Sequence, residues 1–204
     1  MRGRALAGGL LLAAALAATP AQARLVDLYG GATAGGVTGW GTTANTPDFF
    51  DSTRGAGLGV DVGVKLLFID VSATFLQVLN GSGTSGTFIQ LLLGGEVDVP
   101  LGPVRLPDGE PQSLLKPKLA VGFAFGTPGP VNPPLTDEQV SAKGVVANAI
   151  LGYEYFIDPF VAVGAEATFG THYLFGGDVV NSSQGHSTGY HLMGLATVTF
   201  HLGR

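Results

Sequence analysis

The sequence contains no cysteine and few charged residues. Charged residues make up 12% of the 204 residues, about half of the ~25% found in an average soluble domain. A disordered chain is excluded, because disordered chains are polar and charged. The formal net charge is −5, which argues against a basic nucleic-acid-binding protein, so we expect no nucleic-acid partner. Without disulfides, the stability of an exported chain must come from burial or from a membrane.

Long apolar runs are also missing beyond residue 18, which excludes a transmembrane helix in the rest of the chain. Apolar residues and glycine are nevertheless abundant, at 46% and 33 residues respectively. The typical share of glycine is only about 7%, and these glycines lack the three-residue period of collagen. Two classes remain: a soluble apolar β protein, and a membrane protein without transmembrane helices.

Residues 1–23 have the features of a secretory signal peptide. Two arginines precede an apolar run from Ala5 to Ala18, and Ala21-Gln22-Ala23 is a small-residue cleavage site. The run is shorter than the ~20 residues that a spanning helix needs. We therefore expect cleavage after Ala23, which leaves residues 24–204 as an exported domain.

Apolar residues alternate with small or polar residues along this domain. In the last segment the even positions from Tyr190 to Leu202 are mostly apolar, whereas the odd positions from His191 to His201 include histidine and threonine. Similar alternation marks seven earlier segments, near residues 25–35, 58–66, 71–79, 89–99, 116–125, 144–155 and 161–173. A face of Gly, Ala, Ser and Thr with few charges suits a narrow lumen, and the apolar face suits lipid. We predict an all-β fold, an eight-stranded antiparallel up-and-down transmembrane β-barrel.

The connections differ in length between the two ends of the predicted barrel. Two are short, Phe68–Asp70 and Phe156–Pro159, and the first long one runs from Gly36 to Gly55. Bacterial barrels have short periplasmic turns and longer extracellular loops. One connection departs from this rule, because the proline-rich segment 100–112 is long for the predicted periplasmic side.

In these features the chain resembles the small eight-stranded outer-membrane proteins of the OmpA transmembrane-domain, OmpX and OmpW group. The strand from Thr197 to Leu202 is similar to the assembly signal of this family, which usually ends in Phe, although Gly203 and Arg204 follow here. The resemblance implies a monomeric protein of the Gram-negative outer membrane without a cofactor. It implies outer-membrane lipids, lipopolysaccharide and the barrel assembly machinery as partners.

Several predicted lumen residues near the periplasmic strand ends are charged. They are Asp27, Lys65, Glu96, Asp98, Lys116, Lys118 and Glu154. An unpaired buried charge costs several kcal/mol, so we expect this cluster to be mutually paired. Lys116 and Lys118 are the predicted cations of the pairing, and Glu96 and Asp98 on the neighbouring strand are their predicted partners. The alternative is a set of solvated residues at the wet inner mouth.

Two histidines, His172 and His191, fall on the predicted lumen side near the outer ends of adjacent strands. Hairpin pairing would place them side by side, and two imidazoles can bind a metal or change charge near neutral pH. No third ligand is evident, so we interpret them as a polar pair that lines the outer mouth and predict no metal site.

The first long loop contains Trp40, Phe49 and Phe50 between polar residues, and we predict that they form an extracellular contact surface. The predicted function is that of a non-enzymatic outer-membrane barrel with a largely closed polar lumen and a structural or surface-interaction role. The first alternative is a narrow channel for small solutes. A large pore is not expected, because eight strands leave an interior that side chains just fill. Less favoured are a lipid A-modifying enzyme, which His186-Ser187 alone does not support, and a secreted lipocalin-like binder.

Overall fold

The protein is described from a computed structural model, which covers residues 26–44, 55–80, 85–127, 142–176 and 186–203. Regular structure in these ranges consists of β-strands. They are β1 (Asp27–Ala44), β2 (Gly55–Leu66), β3 (Ile69–Asn80), β4 (Ser85–Glu96), β5 (Val99–Pro100), β6 (Ser113–Thr127), β7 (Ala142–Phe156), β8 (Val161–Gly176) and β9 (His186–Leu202). Within the same ranges, no helix is long and apolar enough to cross a membrane.

The eight long strands form a closed antiparallel barrel. Strands pair in chain order except that β4 pairs with β6, and the two-residue β5 lies beside β6. The first and last strands close the barrel, in a register that runs from Leu28 opposite Leu202 to Ala44 opposite His186. Each long strand therefore has a partner on both sides, as lipid requires, since no water is present there to satisfy free backbone groups. The predicted all-β, eight-stranded up-and-down barrel is confirmed.

Burial alternates along the strands and separates two faces. In β9, Met193 and Leu195 are buried whereas Leu192 and Val198 are exposed. The outward face of the barrel is apolar, and its most exposed side chain, Leu119, is 71% accessible. Such a continuous apolar exterior is typical of a barrel in lipid rather than of a protein surrounded by water.

Short turns join the strands at one end of the barrel, called the short-turn end below. Leu67 and Phe68 connect β2 to β3, and Leu67 has a φ of 58°, as two-residue hairpin turns require positive φ. In the turn after β7, the Asp158 carboxylate accepts hydrogen bonds from the backbone N–H groups of Phe160 and Val161, at 2.7 and 2.9 Å. The connection predicted over Phe68–Asp70 is shorter in the structure, since only Leu67 and Phe68 lie between β2 and β3 and Asp70 belongs to β3.

The long connection at this end, residues 97–112, folds back onto the barrel, and we call it the mouth cover. It contains β5, and its Leu106 is buried in one cluster with Leu114, Phe156 and Ala162. The backbone N–H of Phe156 donates to the carbonyl oxygen of Gln112 at 2.8 Å. The proline-rich segment therefore packs against this end of the barrel instead of forming a loose loop.

The first strand extends further than the sequence pattern predicted. Trp40, expected in the first loop, lies in β1, where its backbone is in register with Tyr190 of β9. The Gly- and Thr-rich sequence around Trp40 is typical of a loop, but the long β9 provides hydrogen-bond partners for its backbone groups. Phe49, Phe50 and the predicted signal peptide, residues 1–23, lie outside the described residues.

Candidate functional site

Lysines and carboxylates fill the lumen near the short-turn end, and we call this set the ionic layer. It consists of Lys65, Asp70, Glu96, Lys116, Lys118 and Glu154, whose side chains are no more than 11% exposed. They lie near the ends of β2, β3, β4, β6 and β7, all of which meet at this end of the barrel. Five of the seven residues of the predicted charge cluster, all except Asp27 and Asp98, belong to the ionic layer.

Glu96 connects two lysines within the ionic layer. Its Oε1 lies 3.0 Å from the Nζ of Lys65 and 3.2 Å from the Nζ of Lys116. Lys116 also reaches Glu154, with 3.1 Å between Nζ and Oε1. The pairing predicted between Lys116 and Glu96 is present, and it extends across the lumen to β2 and β7. Charges in a low-dielectric interior need such partners, because each unpaired charge is costly there.

Lys118 binds a partner that differs from the predicted ones. Its backbone is in register with Glu96, but its ammonium group pairs with Asp70 and donates to the hydroxyl of Ser72 at 2.9 Å. Asp70 is fully buried. The expected pairing of Lys118 with Glu96 or Asp98 is therefore corrected. Asp70 was missed because the sequence pattern placed it in a turn.

The two remaining members of the predicted cluster lie closer to solvent. Asp98 is 43% exposed and pairs with Lys65, with 2.5 Å between Nζ and Oδ1. The Oδ2 of Asp27 lies 2.8 Å from the Nδ1 of His201, whose Nε2 is 3.6 Å from Glu154. His201 thus connects Asp27 to the ionic layer, a role that its position in the alternation pattern alone did not indicate.

Tyr29 packs against the ionic layer from β1. Its hydroxyl donates to Asp70 Oδ2 at 2.7 Å, and the Nζ of Lys116 lies 5.6 Å from the centre of its ring. Gly63 is opposite Tyr29 in register, and a Cβ at Gly63 would overlap the ring. Because Gly63 on β2 has no side chain, the Tyr29 ring on β1 has room beside it.

Two further carboxylates lie deeper in the lumen. Glu166 accepts a hydrogen bond from the Thr168 hydroxyl at 2.8 Å. The Oδ1 of Asp61 is buried and has no hydrogen-bond partner among the described residues. Farther from the short-turn end, the Asn148 side-chain amide donates to Gln90 Oε1 at 3.1 Å across the lumen. None of these five residues was assigned to a site from the sequence.

The half of the lumen nearer the long connections is apolar, and we call its side chains the apolar layer. It consists of Val37, Leu76, Val78, Phe88, Leu92, Ala120, Ala124, Val146, Leu174, Met193 and Leu195. Each of these side chains is at most 5% exposed. The sequence predicted a polar lumen. In the structure the half near the short-turn end is polar, whereas the other half contains only a few polar groups within the apolar layer.

His172 and His191 lie within this apolar half, almost completely buried. Their rings stack with 5.9 Å between centroids and an interplanar angle of 28°. His191 is in register with Gly170 and His172 with Gly189, so the two histidines are diagonal neighbours rather than direct partners. In the part of the chain that the structure describes, no group of three or more His, Asp or Glu residues is arranged to hold a metal.

The comparisons with known proteins support the fold. No protein-family model and no curated protein matches the chain. Among solved structures, Neisserial surface protein A (NspA) is 11% identical over 85% of this chain and 96% of its own, with a TM-score of 0.56. The N-terminal β-barrel domain of Pseudomonas aeruginosa OprF is 15% identical over 89% of this chain and 100% of its own, with a TM-score of 0.47. From the first match, the chain has the fold of the small eight-stranded barrels of the bacterial outer membrane.

Proposed function

We propose that this chain is a non-enzymatic integral protein of the bacterial outer membrane with a closed lumen and a structural or surface-interaction role. The filled lumen is the observation that carries the proposal. The mouth cover, the ionic layer and the apolar layer follow one another along the barrel axis. Two lumen cavities lined by described residues measure about 50 and 30 Å³, which is room for only a few water molecules.

The exterior supports a membrane location. Tyr153, Tyr155 and Phe200 are exposed near the short-turn end, and Tyr173 and Tyr190 are exposed near the other end. Aromatic rings in two bands suit the two lipid headgroup regions. Between the bands the exposed side chains are mainly valine, leucine, phenylalanine and alanine.

Cell fractionation combined with gel mobility tests the location. We expect the protein in the outer-membrane fraction, with a faster-migrating folded form that disappears on boiling in detergent. A barrel that is closed by backbone hydrogen bonds on every long strand resists detergent until it is heated. Recovery from the soluble periplasm without detergent would contradict the proposal and favour the lipocalin-like alternative.

Conductance across a planar lipid bilayer tests the closed lumen. We expect no steady conductance of porin size from the native protein. A Phe88→Ala, Leu92→Ala double variant, which shortens two side chains of the apolar layer, should leak more than the native protein and more than a control with Leu119→Ala on the outer face. A steady, ion-selective conductance of the native protein would favour the narrow-channel function instead.

A deletion in the first long connection tests a role in surface contact. We propose that Phe49 and Phe50, with Trp40 at the end of β1 nearby in sequence, contact a partner outside the cell. Deletion of residues 46–53 should weaken envelope integrity or cell binding while the barrel remains heat-modifiable. An unchanged phenotype would contradict this role, and an altered lipid A mass spectrum in cells that contain the protein would favour the enzyme alternative.

A further inference from the structure

Most lumen carboxylates of the described residues can be assigned to a cation. Lys65 and Lys116 hold Glu96, Asp98 and Glu154, while Lys118 holds Asp70 and His201 holds Asp27. Asp61 and Glu166 are the exceptions, since no lysine, arginine or histidine of the described residues lies within ion-pair distance of either. The lumen therefore contains more carboxylates than cationic side chains, and Asp61 and Glu166 are the two without an ion-pair partner among the described residues.

A small cavity of about 50 Å³ lies beside these two carboxylates. Asp61, Glu154, Glu166, Thr33, Thr197 and Thr199 are among its lining residues. Three buried oxygens in this lining have no hydrogen-bond partner among the described residues: Asp61 Oδ1, Glu154 Oε2 and Thr33 Oγ1. Thr33 and Glu154 are each 8% exposed. Buried polar atoms are nearly always satisfied, so three in one small space indicate a bound species.

The lining also includes Lys116 and Lys118, but both ammonium groups are already engaged. Lys116 binds Glu96 and Glu154, and Lys118 binds Asp70 and Ser72. Their ion pairs are with carboxylates other than Asp61 and Glu166. A water molecule would satisfy the hydrogen bonds of the three oxygens but brings no positive charge. In a low-dielectric interior the two carboxylates need a bound proton or a bound cation to offset their charge.

We propose that this cavity binds one small monovalent cation, Na⁺ or K⁺, coordinated by Asp61, Glu166 and the Thr33 hydroxyl together with a water molecule. Carboxylate and hydroxyl oxygens are the ligands that hard cations prefer. The volume is sufficient for an ion and one or two waters. A transition metal does not suit the cavity, because its preferred histidine and cysteine ligands are absent from the lining.

The test measures the thermal unfolding of the whole protein in detergent with sodium, potassium or choline chloride at equal ionic strength and pH. A ligand that binds only the folded state raises the melting temperature with its concentration. We expect a melting temperature a few degrees higher in sodium or potassium than in choline. An Asp61→Asn, Glu166→Gln variant should lose this difference, because neutral amides no longer attract the ion.

The matched control is Asp98→Asn, which removes a lumen carboxylate that lies outside the cavity lining and pairs with Lys65. It should keep the cation dependence of the native protein. Crystals soaked in rubidium or thallium salts give a second measurement that does not depend on any variant. An anomalous peak between Asp61 and Glu166 supports the site. A melting temperature that is the same in all three salts, or a cavity without the peak, overturns it.

Discussion

Ion pairs fill the half of the lumen near the short turns, and apolar side chains fill the half near the long connections. Each charged group of the ionic layer depends on particular partners, such as Asp70 for Lys118. The apolar layer depends instead on volume, since its side chains are interchangeable if together they fill the space. The ionic layer should therefore be sensitive to the loss of single partners and tolerant of the loss of a whole pair, and the apolar layer should respond to volume.

The largest effect is expected from Lys118→Met. The change keeps most of the length of the side chain but leaves the fully buried Asp70 carboxylate without its cation. Removal of one partner from a buried ion pair costs about 3–5 kcal/mol. Urea unfolding in lipid vesicles should show this loss in the free energy of unfolding.

The double variant Lys118→Met, Asp70→Leu separates pairing from packing. Replacement of a whole buried pair by apolar residues is often neutral or stabilising. We expect its stability to recover most of the loss of the single variant. If the double variant is as unstable as Lys118→Met, the unpaired charge is not the cause of the loss. The ionic layer would then depend on side-chain volume, as the apolar layer does.

The next effect is expected from Leu76→Ala in the apolar layer, where Leu76 is 1% exposed. Loss of a buried leucine costs about 2–5 kcal/mol through lost contacts and the cavity that remains. Leu76→Met, which conserves volume, should cost less than about 1.5 kcal/mol. If both variants unfold at the same urea concentration, volume does not govern this half of the lumen.

A smaller effect is expected from Gly63→Ala at the edge of the ionic layer. The added methyl group would overlap the Tyr29 ring and displace it from Asp70, at a cost of about 1–3 kcal/mol. Gly36→Ala is the matched control, because a Cβ at Gly36 meets nothing within 4 Å. Equal stabilities of the two variants would show that the ring has room to move.

The smallest effect is expected from Asp98→Asn. Its carboxylate is 43% exposed at the mouth, so water screens its ion pair with Lys65, and such pairs contribute about 1 kcal/mol or less. The same urea titration measures it. A loss as large as that of Lys118→Met would extend the ionic layer into the mouth.

The alternation of residue types along the chain predicted the strands and their faces, because successive side chains in a strand point to opposite sides. It did not predict the apolar layer. Phe88 and Leu92 lie on the inward face of β4, where both faces are apolar and the alternation disappears. A rule that assigns apolar residues to lipid fails at such positions.

The sequence pattern also did not predict which side chains bond to each other across the lumen. Asn148 on β7 bonds to Gln90 on β4, and Lys118 on β6 bonds to Asp70 on β3. These strands are not neighbours in the sheet. Which residues meet across the lumen depends on the tilt and stagger with which the barrel closes, and a period of two along each strand contains no information about either.

The pairing of β1 with β9 affects how fast the barrel can close during folding. Asp27 and His201, which meet at this seam, are 174 positions apart in the chain. Contacts between distant segments form slowly, because the chain must first lose the entropy of closing a long loop. Until β9 arrives, β1 and β8 are open sheet edges that can join other chains. The protein therefore needs protection while it folds, and its last strand determines when that need ends.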